Sequence, residues 1–451
     1  MKVLLIYPNI VSSPKDISTA LATISAVLKK GKHEVKLIDC TFGIKDKEII
    51  EKVKSFAPGL IAMTVASNDY NYSIHISKLL RPLNIPMLAG GFHALIAPED
   101  LIEYFDFVCI GEGEYSILEL ADKLEKKQNT DKIKNLWIKK NNKIIKNPLA
   151  PLIQNIDRIP FPDRSIFNYQ KYINWNRGLA TFISTRGCPY QCTYCINHYL
   201  MKKYKGQKYI RFRSVDNLIK EIKQVINNYN VKAIEFYDDT FTLDKNRILE
   251  FCKKYKEINL PFYINTQVNS IDKEMLKELK KAGCRRVSIG IESGNENIRN
   301  KLLKRNMTNE KIINVFKWCK ELGLETYAFN MIGMPYETKK EIKETIKLNR
   351  IIQPDYIGVS IFNAFKGTEL YDFCKQNNLL KEKVSKDYFR ESNIKTNLTE
   401  KQLRRIRDSF GFKVYLSKRP VRAVIDLLDK KMHNFPYYTL FRSKLIAIIR
   451  N

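Results

Sequence analysis

The chain has 451 residues, with 78 Lys and Arg against 48 Asp and Glu, for a formal net charge of +30. Nine cysteines in this length are too sparse for a disulfide-built secreted scaffold, and no apolar run reaches the roughly 18 residues that a bilayer span requires. A basic excess raises nucleic acid or an acidic surface as a partner, but residues 1–120 hold 12 basic and 14 acidic side chains while residues 401–451 hold 13 and 3. The first region is therefore near neutral and the C-terminal segment strongly basic, while the general lysine excess between them reads as solvated faces. With no cleavable signal visible and thiols that read as free, the expected location is cytoplasmic.

The first 125 residues read as alternating strands and helices. Lys2–Tyr7 is a continuous apolar run of the kind buried in parallel sheets. A helical pattern over Thr19–Lys29 follows, stopped by Gly31. Strands are predicted at Glu34–Asp39, Leu60–Ala66, Pro86–Ala89 and Phe107–Ile110, with helical patterns around 46–56, 70–81 and 97–105. Five such units suit a doubly wound, flavodoxin-like sheet. Its strand-end loops are small and polar: Ser67-Asn68-Asp69, Gly90-Gly91-Phe92-His93 and Gly111-Glu112-Gly113-Glu114. Glycines there admit a bulky ligand close to the backbone. None of these loops is a Gly-x-Gly-x-x-Gly fingerprint, which disfavours a nicotinamide cofactor.

Residues 126–175 read as a linker with a small hairpin, two β-runs over Asn135–Ile145 about an Asn-Asn turn, followed by Pro148, Pro151, Pro160 and Pro162. A second α/β region is predicted over 176–390. Its strands are Leu179–Thr185, Ala233–Tyr237, Pro261–Gln267, Arg286–Ile291, Glu325–Ile332 and Tyr356–Phe362. Helices lie between them, among them Ser214–Asn228, with Gly283 and Gly323 as stops and Thr338-Lys-Lys-Glu341 as a capping box. Six strands alternating with helices make a partial (βα)6 TIM-type barrel rather than a closed eight-stranded one.

The loop after the first of these strands is Ser184-Thr-Arg-Gly-Cys-Pro-Tyr-Gln-Cys-Thr-Tyr-Cys195. Cys188, Cys192 and Cys195 at Cys-x3-Cys-x2-Cys spacing fit three corners of a 4Fe–4S cluster. Such clusters ordinarily take four protein thiolates, so one iron would be left open for a small molecule. The same residues with His198 also fit a Cys3His zinc site. Polar side chains gather just past the other strands, where parallel sheets place ligands: Asp238-Asp239 and Glu292-Ser293, with Asn330 projecting from the fifth strand. Asp238 and Asp239 are equally suited to capping the next helix.

With its aromatic Tyr194 before the third cysteine, this region resembles a radical S-adenosylmethionine (radical SAM) core. The resemblance implies that the three cysteines hold a 4Fe–4S cluster and that SAM chelates the open iron. One electron would then cleave SAM to methionine and a 5′-deoxyadenosyl radical. It also implies that Asp238-Asp239 receives the SAM amino group, that Glu292-Ser293 holds ribose and carboxylate, and that Asn330 and Tyr194 complete the cofactor contacts.

The flavodoxin-like region ahead of it resembles the cobalamin-binding domain of cobalamin-dependent radical SAM enzymes. The features that carry this likeness are Gly90-Gly91-x-His93, Gly111-Glu-Gly-Glu114 and Ile159-Pro-Phe-Pro-Asp163. Cobalamin contacts are implied for Ser67, Gly90, Gly91, His93, Gly111 and Glu112. No Asp-x-His-x-x-Gly sequence supplies a histidine to cobalt, so cobalamin is expected base-off. The resemblance implies modification of an unactivated carbon in a small-molecule or lipid-like substrate, with C-methylation first. It also implies an external electron donor such as flavodoxin or ferredoxin. Oxidative cyclisation of the anaerobic magnesium-protoporphyrin ester type is the alternative outcome. A different class, RNA-modifying methylthiotransferases, carries an extra cluster from N-terminal cysteines, and here only Cys40 and Cys109 precede residue 120. That disfavours nucleic acid as the partner.

Residues 391–451 read as a helical, basic tail. Its cations interleave with Phe410, Phe412, Tyr415, Leu416, Val424, Leu427 and Leu428, and then with a run of apolar residues from Phe435 to Ile449; Pro420 and Pro436 break it into short pieces. Such pieces suit a peripheral membrane contact or a cap packed over the barrel.

Overall fold

The computed structural model describes residues 1–10, 16–141, 143–382 and 391–432. Contacts divide the chain into two compact units, Met1–Gly187 with Lys202–Glu235, and Cys188–Met201 with Phe236–Asn451. The first therefore takes in the linker and the strand before the cysteine loop, a grouping that motif order does not suggest.

The first unit holds a seven-stranded sheet of β1 (Lys2–Tyr7), β2 (Glu34–Asp39), β3 (Leu60–Thr64), β4 (Met87–Gly90), β5 (Phe107–Cys109), β6 (Leu136–Lys140) and β7 (Lys143–Lys146). Its order is β2-β1-β3-β4-β5-β6-β7, parallel through β5. Val3 to Ile6 of β1 are buried, because helices cover both faces of a parallel sheet. The helix Thr19–Lys30 starts where Ser18 Oγ accepts the Leu21 N–H, and it ends on Lys29 and Lys30, cations that suit the negative end of its dipole. The hairpin is not a free linker. β6 pairs antiparallel with β5, Val108 opposite Trp137, which covers the open edge of a strand only three residues long.

Past the hairpin come β8 (Leu179–Phe182), β9 (Thr185–Arg186), β10 (Arg211–Phe212), β11 (Ala233–Phe236), β12 (Phe262–Thr266), β13 (Cys284–Glu292), β14 (Glu325–Ile332) and β15 (Tyr356–Ile361). A six-stranded sheet runs β15-β14-β13-β12-β11-β8, with β12 to β15 parallel. This is the partial-barrel order expected from alternating strands and helices. The run Leu179–Thr185 is not one strand: it breaks after Phe182, and β9 turns away to pair antiparallel with β10.

In the second unit Asp244, Asp272, Thr308 and Thr338 each accept a backbone N–H at a helix start, and Thr338 with Glu341 forms the expected capping box. Gly283 (φ +105°) and Gly323 (φ +64°) adopt left-handed turns that reverse the chain into β13 and β14. The tail's first helix, Glu400–Tyr415, is a cap. Leu403, Phe410, Val414 and Tyr415 are buried with Ile332, Ile342 and Ile361. Leu416, Val421 and Val424 stay exposed around the start of the last described helix, Pro420–Met432. Pro436 and the apolar residues from Phe435 to Ile449 lie outside the described residues. Among the described residues no helix is long and apolar enough to cross a membrane.

Candidate functional site

The cysteine loop is held by backbone on all sides. Thr193 donates from its N–H to Leu303 O and from its hydroxyl to Leu302 O (2.7 Å), and its own carbonyl accepts the Leu370 N–H at 2.8 Å. A short helix, Ile196–Lys203, follows the third cysteine; the sequence reading did not anticipate it. Cys188 and Cys192 are buried and Cys195 is half-buried. Burial raises all three thiols, Cys195 to about 11.

Each sulfur has a different polar neighbour: Thr240 Oγ1 at 3.8 Å from Cys188, Arg305 Nη1 at 3.6 Å from Cys192, and Asn197 Nδ2 at 3.8 Å from Cys195. Ligands of a single zinc, each about 2.3 Å from the metal, must crowd together. Among the described residues the one group of three or more His, Cys, Asp or Glu ligand atoms within 4.8 Å of one another is His33, Asp122 and Glu125. The three sulfurs do not form such a set, and His198 Nδ1 lies 3.5 Å from Glu369 instead. The thiol spacing therefore fits a multi-iron cluster and not one zinc ion.

Glu292, Asp238 and Asp239 stand near this loop, which itself carries Tyr194. Glu292 closes β13 with φ +65°, a left-handed conformation rare outside glycine, at the register shift between Gly290 and Glu292. Its carboxylate is buried and raised by that burial, with Arg305 3.7 Å away opposing the rise. Tyr194 Oη accepts from Arg305 Nη1 at 2.6 Å. Asp239 accepts from Asn197 Nδ2 at 2.9 Å, which links it to the neighbour of Cys195, and Asp238 is buried at the end of β11.

Two expected contacts face elsewhere. Asn330 exchanges amide hydrogen bonds with Asn349 of the helix Lys339–Ile352, the shorter at 2.7 Å. Side chains alternate along β14, so Asn330 shares the buried outer face with Ala328 and Ile332, while Tyr327, Phe329 and Met331 take the other. Ser293 is fully buried, its hydroxyl 3.5 Å from Thr345 and accepting the Asn295 N–H. It braces the outer helix and does not reach the cysteine loop's neighbours. Arg305, Asn197 and Thr240 were missed; Arg305 lies in Lys304-Arg-Asn-Met307, indistinguishable in sequence from a solvated basic stretch.

In the first unit the strand-end loops border a cavity of about 530 Å³ lined by Thr64, Gly90, Gly91, Gly111, Glu112 and Phe161 among others. A Cβ on Gly90 would meet nothing closer than 3.9 Å, so this glycine leaves open space for a ligand. On Gly91 (φ +92°) it would come within 2.7 Å of Thr64 Oγ1, and on Gly111 within 2.5 Å of Asn135 Oδ1. Those two glycines serve packing of the protein itself. Glu112 lines the cavity, but its carboxylate is engaged by Arg186 (2.9 Å), Arg211 (2.8 Å) and the Ile153 N–H (2.9 Å). Ser67 and His93 are not among the lining residues. His93 Nδ1 lies 3.1 Å from Ser67 Oγ and Nε2 3.5 Å from Asp100, with the ring against Tyr70, so both are turned into the protein.

The radical SAM superfamily pattern matches residues 182–348, and the B12-binding domain pattern matches residues 14–121. An uncharacterized methyltransferase of Pyrococcus horikoshii is 30% identical over 395 residues, covering 84% of both chains. The chain belongs to the B12-binding radical SAM family. As a member of that family it is an enzyme. The anaerobic magnesium-protoporphyrin IX monomethyl ester cyclase of Cereibacter sphaeroides is 25% identical over 394 residues, 82% of this chain and 63% of that one.

Two solved structures share the fold. The radical SAM methyltransferase TsrM from Kitasatospora setae, with cobalamin and a [4Fe-4S] cluster bound, aligns at a TM-score of 0.72 and 19% identity over 83% of this chain and 78% of that one. The cobalamin-dependent radical enzyme OxsB, with aqua-cobalamin and S-adenosylmethionine bound, aligns at 0.75 and 18% over 98% of this chain and 71% of that one. The B12-binding match occupies the place where an RNA-modifying methylthiotransferase would carry its extra cluster.

Proposed function

We propose that the chain is a cobalamin-dependent radical SAM enzyme that methylates an unactivated carbon of a small-molecule or lipid-like substrate. The observation that carries this reading is the cysteine loop: two buried thiols and one half-buried, too spread for one zinc, each beside its own polar side chain. The functional divisions are a cobalamin-binding domain over 1–125, a linker with hairpin over 126–175, a radical SAM core over 176–390 and a basic helical region over 391–451. When bound, the cluster supplies the electron that cleaves SAM, and cobalamin carries the methyl group.

The protein's share is binding, orientation and exclusion of water. Cys188, Cys192 and Cys195 hold the cluster as thiolates. Glu292 and Asp239 offer carboxylates to the ribose and ammonium of SAM, and Tyr194 keeps Arg305 facing the loop. Gly90 leaves room for a corrin against the cavity rim. His93, already bonded to Ser67, would not serve as a ligand to cobalt. The exposed Leu416, Val421 and Val424, with Lys418 between them, support a peripheral contact with an anionic surface.

Anaerobic reconstitution of the full chain tests the reading. One 4Fe–4S cluster per chain is expected, and it should be lost in Cys188→Ala, Cys192→Ala and Cys195→Ala. Zinc in place of iron, or a cluster that survives any of these changes, defeats it. With reductant and SAM, methylation should release S-adenosylhomocysteine together with 5′-deoxyadenosine. Release of 5′-deoxyadenosine alone would point to ring closure, the outcome named for the cyclase relatives.

A further inference from the structure

Arg305 is a buried cation whose surroundings are built around one of the three sulfurs. It is 8% exposed. Nη1 donates to Tyr194 Oη at 2.6 Å and to Cys192 Sγ at 3.6 Å, and Nη2 donates to Gly290 O at 2.8 Å. The loop that carries it is rigidly anchored. Lys304 and Asn306, on either side, both sit in the left-handed region at φ +51°. The fully buried Arg299 ties the same loop down through Met307 O (2.9 Å), Ser293 O (2.7 Å) and Asn309 Oδ1 (2.9 Å).

Removing a guanidinium from water is costly unless anions surround it. Glu292 supplies one anion, at 3.7 Å. The thiolate of Cys192 in the metal-bound form supplies the second. Among the described residues the polar side chains recorded beside the other two sulfurs are neutral, Thr240 and Asn197. Among the described residues, the sulfur of Cys192 is thus the corner with a guanidinium beside it.

Charge and hydrogen bonds at cluster sulfurs set reduction potential, because donation toward sulfur stabilises the more electron-rich state. We propose that Arg305 is a positioning residue that raises the reduction potential of the cluster through Cys192, easing the electron transfer that precedes SAM cleavage. The proposal rests on the cluster reading above and adds a property of one corner of it.

The test is a redox titration of the reconstituted full chain, followed by the cluster's electron paramagnetic resonance signal, for the parent, Arg305→Lys and Arg305→Gln. Iron content is measured in parallel. At the potential that half-reduces the parent, Arg305→Gln should show a reduced-to-oxidised ratio at least tenfold lower, which is about 59 mV for a one-electron couple. Arg305→Lys keeps the charge but loses the forked donation, and should fall between. Should Arg305→Gln fail to load iron, the midpoint of Arg305→Lys decides. Parent-like midpoints in the loaded variants overturn the proposal. So does failure of Arg305→Lys to hold a cluster, since that makes Arg305 an assembly residue. A parent chain that never loads iron would instead defeat the cluster reading.

Discussion

Single buried groups carry the sharpest consequences here. Glu337 is 1% exposed; its Oε2 accepts the Gly333 N–H at 2.6 Å and the Met334 N–H at 3.2 Å, while Oε1 has no partner among the described residues. Burial pushes its carboxyl up to about 7 from an ordinary 4.5. Between those values the folded chain holds a proton that the unfolded chain has released. Stability contributed by this residue therefore falls as pH rises through the window and is flat above it. Glu337→Gln keeps the acceptor and removes the titration. It should match the parent near pH 4 and exceed it at pH 8 by about 3 kcal/mol in denaturant unfolding. A difference that does not vary with pH would show that burial of this carboxylate costs nothing. The glycine loops allow a second contrast. Gly90→Leu, which fills open space at the cavity, should weaken cobalamin binding tenfold or more while the protein melts normally. His93→Ala should leave the cobalt spectrum unchanged, and a spectrum that shifts would place that histidine on the metal.

At the scale of elements, period-2 alternation and capping chemistry did most of the work. β2 and β14 have the predicted bounds because each is a short run closed by a polar or glycine turn. The break of Leu179–Thr185 after Phe182 was invisible, because β9 owes its separate existence to pairing with β10, some 25 residues on. The tail helix Glu400–Tyr415 shows the same dependence. Its basic and apolar residues suited either a surface contact or a cap, and Phe410 is fully buried with Ile332, Ile342 and Ile361. Phe410→Ala should cost about 3–5 kcal/mol by deleting a buried aromatic ring and leaving a cavity. Unfolding midpoints in urea measure it, and a loss below about 1 kcal/mol would show the helix to be loosely docked.

For the whole molecule, the question is what the basic C-terminal region does beyond capping. Each Lys or Arg at an anionic membrane surface contributes about 1 kcal/mol, fading within a Debye length. The net +10 of residues 401–451 (13 basic against 3 acidic) and the exposed Leu416, Val421 and Val424 predict co-sedimentation with anionic vesicles, absent for neutral ones and reversed by high salt. A chain that ignores anionic vesicles has a tail that is only a cap. Leu416→Ser with Val421→Ser and Val424→Ser should reduce sedimentation without affecting cluster or cobalamin content, since all three side chains are exposed.

The sequence by itself determined the order of strands and helices, both resemblances and the three cysteines. These depend on local pattern: a period of two or 3.6, a cap, a glycine, a fixed spacing of thiols. Tertiary structure alone decided which polar residues reach a site. Asn330 lies within a strand and Ser293 follows one, as expected in sequence terms, yet alternation along β14 and the packing of the helix Lys339–Ile352 turn them outward. Ser67 and His93 satisfy one another and Glu112 is taken by two arginines. Arg305, silent among lysines in the sequence, becomes the cationic neighbour of Cys192 because a distant loop closes over it. A buried polar group must find a partner, and the partner comes from whichever segment folding brings near.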